Sequence, residues 1–433
     1  MRGSAAKVAA SQCTAYMLFL QFFRILRSKQ LWLQLWLPVA AAVCCAWAQA
    51  APRTPTQDSE VLERLPFRAG DTTARELSTL RAAVAKSPTD TEPAVALAQR
   101  YFDLAVARGD PRYVGYADAI ITRFAAKPTA DTLMMRGMLR QYRHDFQPAL
   151  EDFAAALALD ADLAGANAWR GAIYLVQANY VAATQECAAL QAKHRVVLHG
   201  GCAGLAQAYT GHLADAYKTL QQVLSVARDD DHKLWLNTRL GEIATWQGRS
   251  DLAERHYRQA MELGIDDGYL LAAWSDFLLD HGRPAEVVQL LASWEASDPL
   301  LLRLAEAETM LKQAGGPAHV QALDDRFAAA KLRGDTTHQA EEARFYLGLR
   351  GDAPRAVLVA AENYHVQREP RDARILLEAA LASKQIALAR PVLDWLQSSG
   401  FEGVELRRLA KQFPIGESTG VSAPQAAKAG GLK

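Results

Sequence analysis

The sequence predicts an all-α chain, a solenoid of stacked helical hairpins that follows an N-terminal export segment. Three observations lead there. Residues 131–160 (DTLMMRGMLRQYRHDFQPALEDFAAALALD) read as two helices around a tight turn, and Gly137, Ala149 and Phe153 recur 34 residues later as Gly171, Ala183 and Cys187. A fixed period of that length marks an array of repeats. The length of 433 residues exceeds what one compact core organises but suits a solenoid, whose core grows with every repeat. Half the residues are apolar, yet the alternating β-branched runs of strands are absent.

In chain order, residues 1–50 read as a secretory signal: basic residues at 24–29, an apolar run at 31–47, and the small–x–small pattern Ala48-Gln49-Ala50 before the expected cleavage. Met17 is an alternative start. An uncleaved anchor facing the periplasm is the alternative to cleavage, although Gln34 and Pro38 interrupt a run barely long enough to span a bilayer. Residues 51–70 are a Pro-rich polar linker. Residues 71–130 form an N-terminal cap, Thr72–Lys86, and an irregular first repeat with a lengthened turn over 107–115. The regular array occupies 131–299, with Pro299 closing its last repeat. Looser hairpins fill 300–413, with helices expected at 300–313, 319–333, 340–350, 354–367, 371–383, 387–398 and 404–413. Residues 414–433 hold too few large apolar side chains to pack and read as a disordered tail.

Charge narrows the partner class. Lys+Arg and Asp+Glu both number 48, but residues 1–50 carry five basic residues and no acidic one, which leaves 43 against 48 in the mature chain, a net of −5. A mildly acidic protein is a poor nucleic-acid binder.

The repeats resemble those of the tetratricopeptide-repeat (TPR) family. Its small helix-A position corresponds to Gly137, Gly171, Gly204 and Gly241, and its small helix-B position to Ala149, Ala183, Ala216 and Ala253. Its aromatic corresponds to Phe153 and Tyr257, and its later alanine to Ala156 and Ala260. The resemblance is good over 131–299 and loose over 91–130 and 300–398. It implies a right-handed superhelix that binds protein or peptide on the concave face lined by the A helices. Projected onto this chain, that face holds Met134, Tyr142, Leu205, Tyr209, Trp235, Glu242, Trp246, Tyr269, Asp276 and Asp280. Aromatic anchors with a few carboxylates suit an extended or helical segment; the competing reading has these aromatics filling the inner seam between repeats. The subfamily that clamps carboxylates with Lys and Asn is excluded, since those positions hold Met134, Met138, Ala168, Ala172, Gly201 and Leu205.

Chemistry is sparse. The mature chain keeps two cysteines, Cys187 and Cys202, on helices that pack together in such a fold, and in an exported protein the pair predicts a disulfide; two small buried thiols are the alternative. A metal site drawn from Cys187, His194, His199 and Cys202 matches no standard zinc spacing. Gly416-Glu417-Ser418-Thr419-Gly420 fits the nucleophile-elbow pattern but lacks the strand that must precede it. His144, His212 and His281 fall in or beside inter-helix turns, and Asp229-Asp230-Asp231 reads as a solvated connection. No phosphate-binding loop, metal motif or cofactor motif is present, so no catalytic residue, metal or cofactor is expected. The leading expectation is a non-catalytic scaffold or assembly adaptor of the bacterial envelope, in the periplasm, with membrane contact only through an uncleaved signal. The alternatives are an enzyme using Glu306, Glu308, His319, Asp324 and Asp325 in the irregular 300–350 region, and a self-assembling solenoid.

Overall fold

The computed structural model describes residues 71–414, together with Gln57. The expected signal segment, most of the linker, and the tail with its Gly416–Gly420 motif lie outside the described residues. Among those described there are twenty α-helices and no strand. They are α1 Thr72–Lys86, α2 Thr91–Arg108, α3 Arg112–Ile121, α4 Ala130–Tyr142, α5 Phe146–Leu159, α6 Ala164–Val176, α7 Tyr180–Ala192, α8 Val196–Tyr209, α9 Leu213–Val226 and α10 Asp230–Trp246. Then follow α11 Ser250–Met261, α12 Gly268–Asp280, α13 Pro284–Leu291, α14 Asp298–Leu311, α15 Gly316–Leu332, α16 Gln339–Gly348, α17 Ala353–Val366, α18 Pro370–Ser383, α19 Arg390–Ser399 and α20 Val404–Ala410.

The helices pair as TPR-like hairpins because each A helix carries a hole where its B helix carries a bulk. A Cβ added at Gly137 would sit 2.6 Å from the Phe153 ring, one at Gly204 2.6 Å from Leu220, and one at Gly241 2.8 Å from Tyr257. The large partner lies sixteen residues after the glycine each time. The matching small positions Ala149, Ala183, Ala216 and Ala253 are 0% exposed, so two backbones approach where side chains are smallest. In the second hairpin the bulk is Cys187, and the structure joins it to Cys202 of the next A helix, with Cα atoms 5.5 Å apart. Sulfur fills the gap there: a Cβ on Gly171 would meet the Cys202 Sγ at 3.2 Å.

Local chemistry sets the ends. Asp90, Asp229, Asp267 and Asp352 accept backbone N–H groups of the helices they precede, and Thr129 forms a capping box with Thr132. Three sequence expectations shift. The lengthened turn at 107–115 is short, because α2 runs on to Arg108 and stops at Gly109, which takes the left-handed conformation (φ 61°). Pro299 opens the first turn of α14 rather than closing the preceding repeat, a place where its missing N–H costs nothing. The helix expected at 387–398 divides into a 3₁₀ turn, Ile386–Ala389, and α19, with Pro391 in its first turn.

The superhelix closes on itself. A Cβ on Gly268 would lie 3.2 Å from the Val106 carbonyl, so the start of α12 abuts the end of α2. Further on, the segment after α17 returns to the A-to-B turns of the early repeats. The Arg368 N–H donates to the Val176 carbonyl at 2.8 Å, Gln367 Nε2 lies 3.2 Å from His144 Nε2, and Trp395 Nε1 donates to the Tyr180 hydroxyl at 2.7 Å. One apolar core runs unbroken from Leu175 to Phe413 as a result.

Candidate functional site

The closure leaves a pocket of about 170 Å³ on the concave side, between the A helices of the middle repeats and the returning C-terminal helices. Its walls are aromatic: Tyr209 from the end of α8, Trp246 from α10, Tyr257 from α11, Tyr269 and Phe277 from α12, and Phe401. Of the ten residues projected from the sequence onto the concave face, six meet here: Tyr209, Glu242, Trp246, Tyr269, Asp276 and Asp280. The other four lie elsewhere. Met134 and Trp235 rest on glycines of the neighbouring A helix, where a Cβ at Gly165 would lie 2.7 Å from the Met134 methyl and one at Gly201 2.5 Å from the Trp235 ring. Tyr142 stands edge-on to Phe102 at 6.2 Å, and Leu205 is buried. These four fill seams between repeats. Burial pushes the Tyr142 hydroxyl up to about 12.

Carboxylates at the pocket are matched one by one. Glu242 accepts from Arg239 at 2.8 Å and from the Tyr269 hydroxyl at 2.6 Å, while the Arg239 guanidinium lies 4.3 Å from the centre of the Tyr269 ring. Asp276 holds Arg303 at 2.7 Å and Arg344 at 2.6 Å, and Arg344 reaches Glu306 at 2.6 Å. Burial alone would raise the Asp276 carboxyl, but the two guanidiniums outweigh it and bring it down to about 2. Asp280 pairs with Arg374 at 2.6 Å. Glu369 accepts from the Tyr209 hydroxyl at 3.3 Å and forms an ion pair with Arg371 at 3.2 Å. Arg371 keeps 42% of its side chain exposed, so it presents unspent N–H donors beside the Tyr269 ring.

Sequence reasoning missed Glu369, Arg371, Arg374 and Phe401. The one available signal was complementary spacing: Asp276 and Asp280 stand four apart on one helix, Arg371 and Arg374 three apart on another, so each pair forms a stripe.

The irregular 300–350 region does not gather its acidic residues and histidine into one centre. Glu306 is tied to Arg344, Glu308 accepts from His319 Nδ1 at 2.7 Å, Asp324 pairs with Arg350, and Asp325 accepts from Gln321 at 2.9 Å. His199 Nδ1 lies 2.9 Å from the Cys187 carbonyl, and both cysteine sulfurs are committed to their bond. Among the described residues no helix is long and apolar enough to cross a membrane.

No family model matches the chain, and no curated protein does. Solved structures do resemble it. A tetratricopeptide repeat protein from Parabacteroides merdae is 16% identical with a TM-score of 0.37, over 55% of this chain and 86% of that one. The Cut9–Hcn1 hetero-tetramer of the APC/C gives 12% identity and a TM-score of 0.39, over 79% of this chain and 52% of that one. Yeast Tom70 gives 16% and 0.32, over 74% and 62%. At these values the likenesses are distant, and the TPR-like solenoid is established by the chain's own hairpins.

Proposed function

We propose that this TPR-like solenoid is an exported, non-catalytic scaffold or assembly adaptor of the bacterial envelope, in the periplasm, and that it grips a segment of a partner protein at the concave pocket. The observation that carries the reading is the pocket itself: aromatic walls from three successive A helices, with every carboxylate matched to an arginine or tyrosine and the Arg371 and Arg374 side chains left partly exposed. An aromatic wall whose charged side chains already pair with one another suits a peptide anchor better than a reaction. The export segment expected from the sequence and the Cys187–Cys202 disulfide support the compartment, since cysteine pairs persist where the environment oxidises them.

Co-purification from crosslinked envelope extract tests it, comparing wild type with Trp246→Ala and, as a control, Trp235→Ala. A partner captured by wild type and by Trp235→Ala but lost with Trp246→Ala is the expected result. Equal capture by all three, with matching circular dichroism, sinks the pocket as the partner site.

A further inference from the structure

One side of the pocket is closed by the chain's own last helical turn. Residues 400–403 join α19 to α20, starting from Gly400 in the left-handed conformation (φ 70°); Gly400 meets Gly211 in the turn from α8 to α9, and Val404 meets Gly248 in the turn from α10 to α11. Phe401, 0% exposed, seats its ring 5.6 Å from that of Trp246 and 5.2 Å from that of Trp395. Glu402 accepts the backbone N–H of Leu213 at 2.9 Å. Leu213 opens α9, and the preceding His212 supplies no side-chain cap. The helix is therefore capped by a carboxylate 189 residues away in sequence. Gly211 (φ 81°) faces this segment so closely that a Cβ there would lie 2.8 Å from the Gly400 carbonyl oxygen.

An aromatic anchor in an aromatic slot, a carboxylate on a helix N-terminus and a backbone in close approach are the marks of a bound peptide rather than of a repeat. None of the regular hairpins is held this way. The segment is also the last element among the described residues, and elements at the end of a fold open more readily than its middle.

We propose that residues 400–413 are a displaceable strap, a pseudo-ligand bound in cis, and that Phe401 and Glu402 occupy the place a partner segment takes in trans. The inference rests on the pocket being the partner site, and it adds the chemistry of that partner: an extended segment with an aromatic residue followed directly by an acidic one. Release of the strap uncovers Trp246 and the α9 N-terminus together, so one ligand replaces both contacts.

The probe is a labelled synthetic peptide of residues 399–414, offered to the full chain as wild type and as Phe401→Ala/Glu402→Gln. In wild type the tethered strap competes, so the apparent affinity is the intrinsic one multiplied by the fraction of molecules open. The peptide should bind the double variant at least about tenfold more tightly than wild type, and Trp246→Ala added to that variant should abolish binding. The Leu213 amide should exchange about tenfold faster in the variant, the size expected for losing one helix cap, and saturating peptide should restore its protection. Equal binding to wild type and variant, or no binding to a variant whose circular dichroism matches wild type, overturns the strap. If the double variant fails to fold, Glu402→Gln alone is judged by the same two readouts. A negative peptide result with partner capture still lost on Trp246→Ala removes the strap and leaves the pocket; capture indifferent to Trp246→Ala removes both.

Discussion

Breaking the Cys187–Cys202 bond should weaken the array by about 3 kcal/mol. The two residues are 15 apart in sequence, and closing a loop of that length removes about that much free energy from the unfolded chain in the chain-entropy account. Native packing adds a second, separable contribution. Cys187 is 3% and Cys202 9% exposed, and the sulfurs occupy the space that Phe153 takes in the hairpin before and Leu220 in the hairpin after. Reduction keeps both sulfurs in place and should show the loop contribution alone. Cys187→Ala/Cys202→Ala also empties the space beside Gly171, for about 1 kcal/mol more. The assay is urea unfolding followed by helical circular dichroism, with and without dithiothreitol. With a slope near 3 kcal/mol per M, the reduced midpoint falls by about 1 M. Dithiothreitol should leave the double variant unmoved. Coincident curves for oxidised and reduced wild type would refute the reasoning, as would free thiols in the unreduced protein.

Other expectations follow from named contacts. Gly137→Ala drives a methyl into the Phe153 ring and should cost about 1–3 kcal/mol, with Phe153→Leu restoring part of it; thermal melting decides. Asp276→Asn removes the carboxylate that bridges Arg303, whose side chain is 5% exposed, and Arg344, which keeps Glu306, and should destabilise by about 3 kcal/mol, whereas breaking an exposed pair such as Arg390–Asp394 should give under about 1 kcal/mol. The pH profile has two opposing parts. Burial, aided by Arg255 for His256 and by Arg371 for His144, lowers both imidazoles to about 4; the unfolded chain then binds protons the fold refuses, so their contribution is lost as pH falls from about 6.5 towards 4. Burial raises the Asp372 carboxyl to about 7; there the fold holds a proton the unfolded chain has released, so stability is gained as pH falls from 7 towards 4. Asp372→Asn should therefore steepen the loss on the acid side, and His256→Gln should flatten it, in urea midpoints measured from pH 7.5 to 4.5.

The hairpins were legible because their determinants are local. A glycine and its bulky partner lie sixteen residues apart, and the turn between them needs only a residue tolerant of positive φ, met by His144, Ala178, Gly211, Gly248 and Gly282 at successive junctions. The cysteine pair was legible for the same reason: position 187 inherits the place of Phe153, and 202 the facing helix. Four of the ten projected residues lie away from the pocket because the projection treats every inward side chain alike. Trp235 and Trp246 are both inward, but Trp235 has the bare backbone of Gly201 beneath it and drops into the seam, while Trp246 meets Tyr209, 5.9 Å away between ring centres, and stays at the pocket.

The closure was not legible at all, and the reason is energetic. Each contact that makes it spans 160 residues or more: Tyr209 to Glu369, Leu213 to Glu402, Tyr180 to Trp395, His144 to Gln367. A periodic sequence fixes the rotation from one hairpin to the next only loosely, and small errors per repeat accumulate around a superhelical turn. Whether the seventh hairpin passes beside the first or lands on it depends on those small angles. What settles the matter is chemistry at the meeting points, one glycine facing another at 211 and 400 and a carboxylate reaching an uncapped helix. None of these has a sequence pattern of its own. The same logic separates the parts of the closure. Helices α17 and α18 bury Val357, Leu376 and Leu377 to 1% exposure or less, whereas residues 400–413 add Phe401, Leu406, Leu409 and Phe413 at the end of that core, together with the Glu402 carboxylate and a seven-residue helix. The proposed strap therefore requires that the contacts of α17 and α18 hold the ring when residues 400–413 lift. Helical circular dichroism of Phe401→Ala/Glu402→Gln that matches wild type is the expected result.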